Sequence, residues 1–178
     1  MCSYQIEARI ETERLILRPP RISDAERIAE LIADYDIVKM LARAPWPYTV
    51  QDARAFVSRV GDLDPAFDRP LTIEHREHGV IGSTGFHTTA ESLFPEVGYW
   101  IARDHWGQGY ATEATTAALG WARDVWGKRA VASGHFADNA ASARVLDKAG
   151  FLYTGDVVAR ESLARGALAA TRMMIWLA

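Results

Sequence analysis

The residues best suited to chemistry lie between Glu96 and Lys148. A carboxylate, Glu96, opens a run rich in β-branched and aromatic residues, and the loop Trp106-Gly107-Gln108-Gly109-Tyr110-Ala111-Thr112 follows it. Gly107 and Gly109 carry no Cβ, so the backbone there can curl tightly and approach a ligand closely. Ala111 is nearly as small. The loop feeds a segment of helical spacing that begins near Ala111. A helix N-terminus leaves its first amides unpaired and carries about half a positive charge. Such an end accepts an anionic phosphate group through backbone alone. The known nucleotide loops do not fit. No Gly-Lys-Ser/Thr follows, and Thr112 stands where G-x-G-x-x-G needs its third glycine. Taken alone, the glycines fit a tight strand-to-helix turn as well as an anion site.

The elements that must position this loop follow from periodicity. Leu15 and Leu17 share one face of a strand, with Ile16 on the other. Ser23-Asp24-Ala25-Glu26 reads as a capping box, and Ile28, Leu31, Ile32 and Tyr35 carry a helix to about Tyr35. Two prolines in Ala44-Pro45-Trp46-Pro47-Tyr48 exclude regular helix there. Thr49 with Asp52 restarts a helix that buries Ala53, Phe56, Val57 and Val60. Leu71–His75 and Val80–Phe86 read as a hairpin around His78-Gly79, and Glu96–Ala102 as a third strand. Thr112–Trp126 is helical, with Ala114, Ala118, Trp121 and Val125 facing inward. Ala130–His135 is a short strand. Asn139 caps a further helix that Gly150 stops. Asp156–Arg160 and Thr171–Leu177 close the chain as two strands. This order predicts a single α+β domain over 1–178, with a mixed, mostly antiparallel sheet of about seven strands and about four helices.

Bulk properties exclude more than they select. The chain has 178 residues, is 49% hydrophobic and 24% charged, and carries a net charge of −3 with both signs mixed along it. That balance argues against a nucleic-acid surface. No apolar run reaches the ~20 residues of a membrane helix. The N-terminus lacks the basic-then-apolar order of a signal peptide. One cysteine, Cys2, rules out an intrachain disulfide and suits a cytoplasmic protein. The histidines at 75, 78, 87, 105 and 135 show no metal-ligand spacing, so no metal is expected. His75 and His78 flank a turn and are expected to be exposed.

The stretch EVGYWIARDHWGQGYATEATTAALGWA resembles the cofactor motif of the GNAT acetyltransferase superfamily, whose loop reads Arg/Gln-x-x-Gly-x-Gly/Ala. Trp106, Gly109 and Ala111 occupy the matching positions. NAASARVLDKAGF, from Asn139 to Phe151, resembles the second cofactor helix. The two motifs stand in this order about thirty residues apart, and together are more specific than either alone. TERLILRPPRISDAERIAEL is similar to the opening strand and helix of the RimJ/RimL-like branch. Trp106, where the superfamily has Arg or Gln, suits that branch.

The resemblance implies an N-acetyltransferase that moves an acetyl group from acetyl-CoA to a primary amine, a protein N-terminus or a small molecule, by direct attack. The rival is a non-catalytic acyl-CoA-binding regulatory module. Under the first reading, residues 106–112 hold the pyrophosphate. The strand Tyr99, Trp100, Ile101 pairs with the pantetheine arm and polarises the thioester, which needs a local splay in the sheet. A primary amine is mostly protonated at neutral pH, so a base must take a proton. Glu96 is the candidate, with a solvated strand-end carboxylate as its plain alternative. Asn139 caps its helix and, by resemblance, bonds the pantetheine arm. Many superfamily members carry a tyrosine acid seven residues after that Asn; here it is Leu146, which cannot donate a proton. Ser142, one turn along, and Tyr153 are the candidate substitutes. Lys148 is a candidate partner for the distal phosphate, while Arg144 reads as a solvated neighbour. Trp46, Tyr48 and Phe86 are candidate walls for the acceptor, between the first two helices and the last hairpin. The sequence leaves monomer and homodimer equally open.

Overall fold

The computed structural model describes residues 8–88 and 93–178, and Cys2 lies outside them. Eight strands form one sheet: β1 (Ile10–Glu11), β2 (Leu15–Arg18), β3 (Arg69–His75), β4 (Gly79–His87), β5 (Glu96–Ile101), β6 (Ala130–Phe136), β7 (Leu152–Ser162) and β8 (Ala167–Leu177). Their order is β1-β2-β3-β4-β5-β6-β8-β7. Every pairing is antiparallel except β5 with β6. The helices are α1 (Ala25–Ile32), α2 (Tyr35–Val38), α3 (Val50–Val60), α4 (Tyr110–Asp124) and α5 (Ala140–Lys148). The expected α+β class and mixed sheet are observed, with a short β1 and a separate α2 in addition.

Helices cover both faces. On one, α4 buries Tyr110, Ala114, Ala118, Leu119 and Ala122 in the main core with Leu15, Leu17, Ile73, Val97 and Phe86. The inward stripe turns to Leu119 and Ala122, and leaves Val125 46% exposed, because the helix stops at Asp124. On the other, α1 and α3 pack Ile28, Ala29, Ala53 and Val57 against Val80 and Trp100.

Helix α1 ends at Ile32, three residues before the expected stop. The Asp34 carboxylate accepts from the Asp36 N–H and starts α2 afresh. Ser23 caps nothing. Instead Asp24 accepts from the Arg21 N–H at 2.8 Å and holds the Arg18 guanidinium by two bonds of 2.7 and 2.9 Å. Both side chains of this pair are 7% exposed, and it fastens the start of α1 to β2. The predicted Thr49–Asp52 capping box is present. Asn139 caps α5 by accepting from the Ser142 N–H at 3.0 Å. His75 is buried, contrary to expectation: its ring stacks on His78 and its Nε2 meets the Tyr110 hydroxyl at 3.2 Å.

Candidate active site

The parallel contact between β5 and β6 is brief. Its only register pair is Glu96 with Ala132. The Ala132 N–H donates to Pro95 and the Ser133 hydroxyl donates to the Val97 carbonyl. Beyond that point the two strands part and leave a gap between them. Main-chain groups of an antiparallel strand alternate between its two edges. The Ala102 N–H turns to β4, where it meets Ile81, and the Val97 carbonyl turns to β6. Tyr99 and Ile101 therefore face the gap. The Ile101 carbonyl is taken by the Trp106 indole N–H at 2.6 Å. Trp100 does not belong with them: its main chain faces β4, and its side chain packs on the α1–α3 side.

At the far end of the gap stands the N-terminus of α4. Among the described residues, none of the amides from Gly107 to Thr112 donates to a protein acceptor. Gly107 and Gly109 hold φ of 74° and 83°, the left-handed region that favours glycine. The loop is fastened from outside. The Arg14 guanidinium donates to the Gln108 carbonyl at 3.1 Å and to Glu113 at 2.7 Å, and the Thr12 hydroxyl donates to Glu113 at 2.6 Å. Burial raises the Glu113 carboxyl, but these bonds outweigh it and hold the group below its usual value. The Gln108 side chain donates to the Asp104 carbonyl, outside the gap. Tyr110 is buried beside His75, so it offers the groove only its backbone. Ala111 and Thr112 border the groove. Trp106 closes the turn with its indole and stacks under Arg103, 4.9 Å away.

Helix α5 borders the same gap. The Asn139 oxygen is spent on its cap, which leaves the amide NH2 for a ligand. Ser142 lies beside it, its hydroxyl 2.8 Å from the Tyr99 phenol, and that phenol also reaches the Ser142 carbonyl at 3.2 Å. Burial pushes the Tyr99 hydroxyl up to about 12. Leu146 is fully buried in the main core, so its position does not face the groove at all. Tyr153 is occupied with His135 at 2.9 Å, away from Ser142. Arg144 and Lys148 are exposed at the groove rim.

Glu96 marks the other end of the groove. Its carboxylate is gripped at both oxygens by Arg160 of β7, one bond being 2.7 Å. The bond to Glu96 raises the Arg160 guanidinium above its usual value. Sequence reasoning gave Arg160 no role; the pair spans 64 residues and leaves no local signal. Of the expected walls, Tyr48 lines this end of the groove, and burial pushes its hydroxyl up to about 12. Phe86 borders the groove as well, but most of its ring is buried in the main core, 5.3 Å from Trp126. Trp46 is 46% exposed and sits edge-on to Tyr35, outside the groove. An aromatic side chain names its appetite for burial and not the partner that provides it. Among the described residues, no group of three His, Cys, Asp or Glu side chains is placed to hold a metal.

A splayed parallel strand pair, open amides at a helix start and a capped second helix line one groove. The chain belongs to the acetyltransferase (GNAT) domain family, which it matches over residues 14–152. It is an N-acetyltransferase with acetyl-CoA as cosubstrate. It is 30% identical over 153 residues to an uncharacterised N-acetyltransferase, YoaA, of Bacillus subtilis, covering 82% of this chain and 84% of that one. It is 33% identical over 106 residues to an uncharacterised N-acetyltransferase, p20, of Bacillus licheniformis, spanning 58% of this chain and 59% of that one. Its fold matches the ribosomal-protein-S5-alanine acetyltransferase of Vibrio fischeri with a TM-score of 0.80, at 18% identity over 96% of this chain and 97% of that one.

Proposed function

We propose that the enzyme acetylates a primary amine, either a protein N-terminus or a small-molecule amine, by direct attack on the thioester without an acyl-enzyme. The observation that carries this is the β5–β6 gap, open from Tyr99 to the α4 amides and bordered by Asn139 and Ser142. The pyrophosphate rests on the amides of Gly107–Thr112, and Lys148 meets the distal phosphate from the rim. The pantetheine arm pairs with the edge of β5 at Tyr99 and Ile101 and takes a bond from the Asn139 amide. The Tyr99 N–H polarises the thioester carbonyl. Ser142 donates a proton to the departing sulfur, with the Tyr99 phenol behind it. The amine enters at the opposite mouth, past Tyr48, where Glu96 and Arg160 set the charge. Glu96 remains a candidate base, although Arg160 must release it first.

The test is release of CoA thiol with a panel of amines, read beside acetyl-CoA binding. Turnover on at least one amine, with no acetyl group on the protein in mass spectra taken without amine, is the expected result. Binding without release on any amine would instead make the chain a non-catalytic acyl-CoA module. Residence in the cytoplasm fits the single cysteine and the lack, among the described residues, of any helix long and apolar enough to cross a membrane. Cell fractionation checks it.

A further inference from the structure

The acceptor mouth holds a second group able to take a proton. We propose that His87 is the base that deprotonates the attacking amine, with the charged Glu96–Arg160 pair beside it; this rests on the acetyltransfer reading above. His87 ends β4 directly opposite Glu96 in the antiparallel register. Side chains opposed in this way share a face, with Cβ atoms roughly 4.5–5.5 Å apart. That face is the one carrying Trp100, away from α4, and both residues border the groove.

Hydrogen bonding separates His87 from the two buried histidines, His75 and His135. His75 accepts from the Glu77 N–H and meets Tyr110, and His135 meets the Phe136 carbonyl and Tyr153, so both rings have both nitrogens engaged. His87 has no side-chain or backbone partner for its ring nitrogens among the described residues. Glu96 is in the reverse situation. To accept a proton it must give up a two-point bond and leave half-buried Arg160 unpaired, which is costly in a partly desolvated site. A neutral imidazole accepts a proton without breaking any pair.

The surroundings keep the ring neutral. Burial is the largest influence and lowers His87 below 6.5; Arg43, from the segment before α3, and Arg160, from β7, push the same way. Glu96 on β5 and Asp68 ahead of β3 oppose them. A ring lowered in this way is unprotonated at neutral pH and free to take a proton there. In the step itself, the amine nitrogen bonds to the thioester carbon as one N–H proton passes to His87. The C–S bond then breaks with its electron pair on sulfur, and the thiolate takes a proton from the Ser142 side. His87 later returns its proton to solvent, so the products are the amide and CoA thiol.

The test compares pH profiles of kcat/KM for wild type, His87→Gln and Glu96→Gln, using an acceptor whose own pKa is about 8 or higher. Any acidic limb below 6.5 then belongs to the enzyme. His87→Gln is expected to lose about 10²-fold in kcat/KM and to lose that limb, with acetyl-CoA affinity within about twofold of wild type. Glu96→Gln is expected to keep the limb, moved to lower pH because the carboxylate that raises His87 is gone. NMR titration of the His87 ring in the wild type should give the same midpoint as the limb, and it decides the matter alone if His87→Gln does not fold. A limb that survives in His87→Gln, or a ring midpoint that misses it, overturns the proposal. If wild type turns over no amine, the acetyltransfer reading fails first.

Discussion

The two ends of the groove are made of different materials. The proposed cofactor end is backbone: amides of one loop, the edge of one strand, a capped helix start. Its side chains mostly brace the main chain from outside, as Arg14 and Trp106 do. The acceptor end is side chain. Glu96, Arg160, His87 and Tyr48 arrive from four separate segments, and one ion pair, Glu96 with Arg160, joins two of them. A backbone site tolerates varied sequence as long as the turn survives. A side-chain site changes its ligand with each substitution. This explains how one cofactor can serve many acceptors on one fold.

Four substitutions probe that contrast, in falling order of effect. Asp24→Asn cuts the buried pair that anchors the acceptor-side helices, and should cost about 3 kcal/mol of stability at pH 7. Burial raises the Asp24 carboxyl, but Arg18 outweighs this and holds it below its usual 3.8. A carboxylate depressed in the folded state stabilises above its unfolded value and loses that benefit as pH falls through the folded one. Denaturation curves of the two proteins should thus differ widely at pH 7 and converge below 3.8. Equal gaps at both pH values would remove the ion pair as the cause.

Gly109→Val forces a β-branched residue into the left-handed region and should cost about 2 kcal/mol, a near thirtyfold loss of acetyl-CoA affinity by calorimetry. The acceptor KM should hardly move. Arg160→Gln should do the reverse, with acceptor KM up about tenfold, or ~1.4 kcal/mol, and acetyl-CoA affinity unchanged. If either variant alters both parameters alike, the two ends are not independent. The smallest effect belongs to Ser142→Ala. With Tyr99 still at the gap, turnover should fall only about threefold, or well under 1 kcal/mol. A hundredfold drop would make Ser142 the sole proton donor.

The same contrast decides what the sequence discloses. Strand, loop and helix from Glu96 to Asp124 are contiguous, so periodicity and two glycines place them, and the Asn139 cap is local too. The acceptor end is built by tertiary contacts. No spacing rule joins Glu96 to Arg160 across 64 residues. Even near in sequence, a side chain can choose a partner that pattern does not foresee: Asp24 turned to Arg18 and the Arg21 N–H, and Ser23 was left out of the cap. Phe86 and Trp46 read alike as aromatic walls and went to opposite fates, core and surface. Leu146, seven residues past Asn139, marks a missing acid in the sequence, but it points into the core and so vacates nothing in the groove.

Arg14 and Thr12 precede the loop they fasten by some ninety residues or more, and they meet it only when β2 has joined the sheet. A fragment cut to the recognisable motifs would therefore hold every residue proposed to contact the cofactor and lack the contacts that fasten their loop. Conversely, a molecule that prefers the taut loop must also prefer the docked first strands. Acetyl-CoA bound at Gly107–Thr112, as proposed, should thereby be sensed near the other end of the chain, as slower proteolysis and slower amide exchange in the strand that Arg14 introduces.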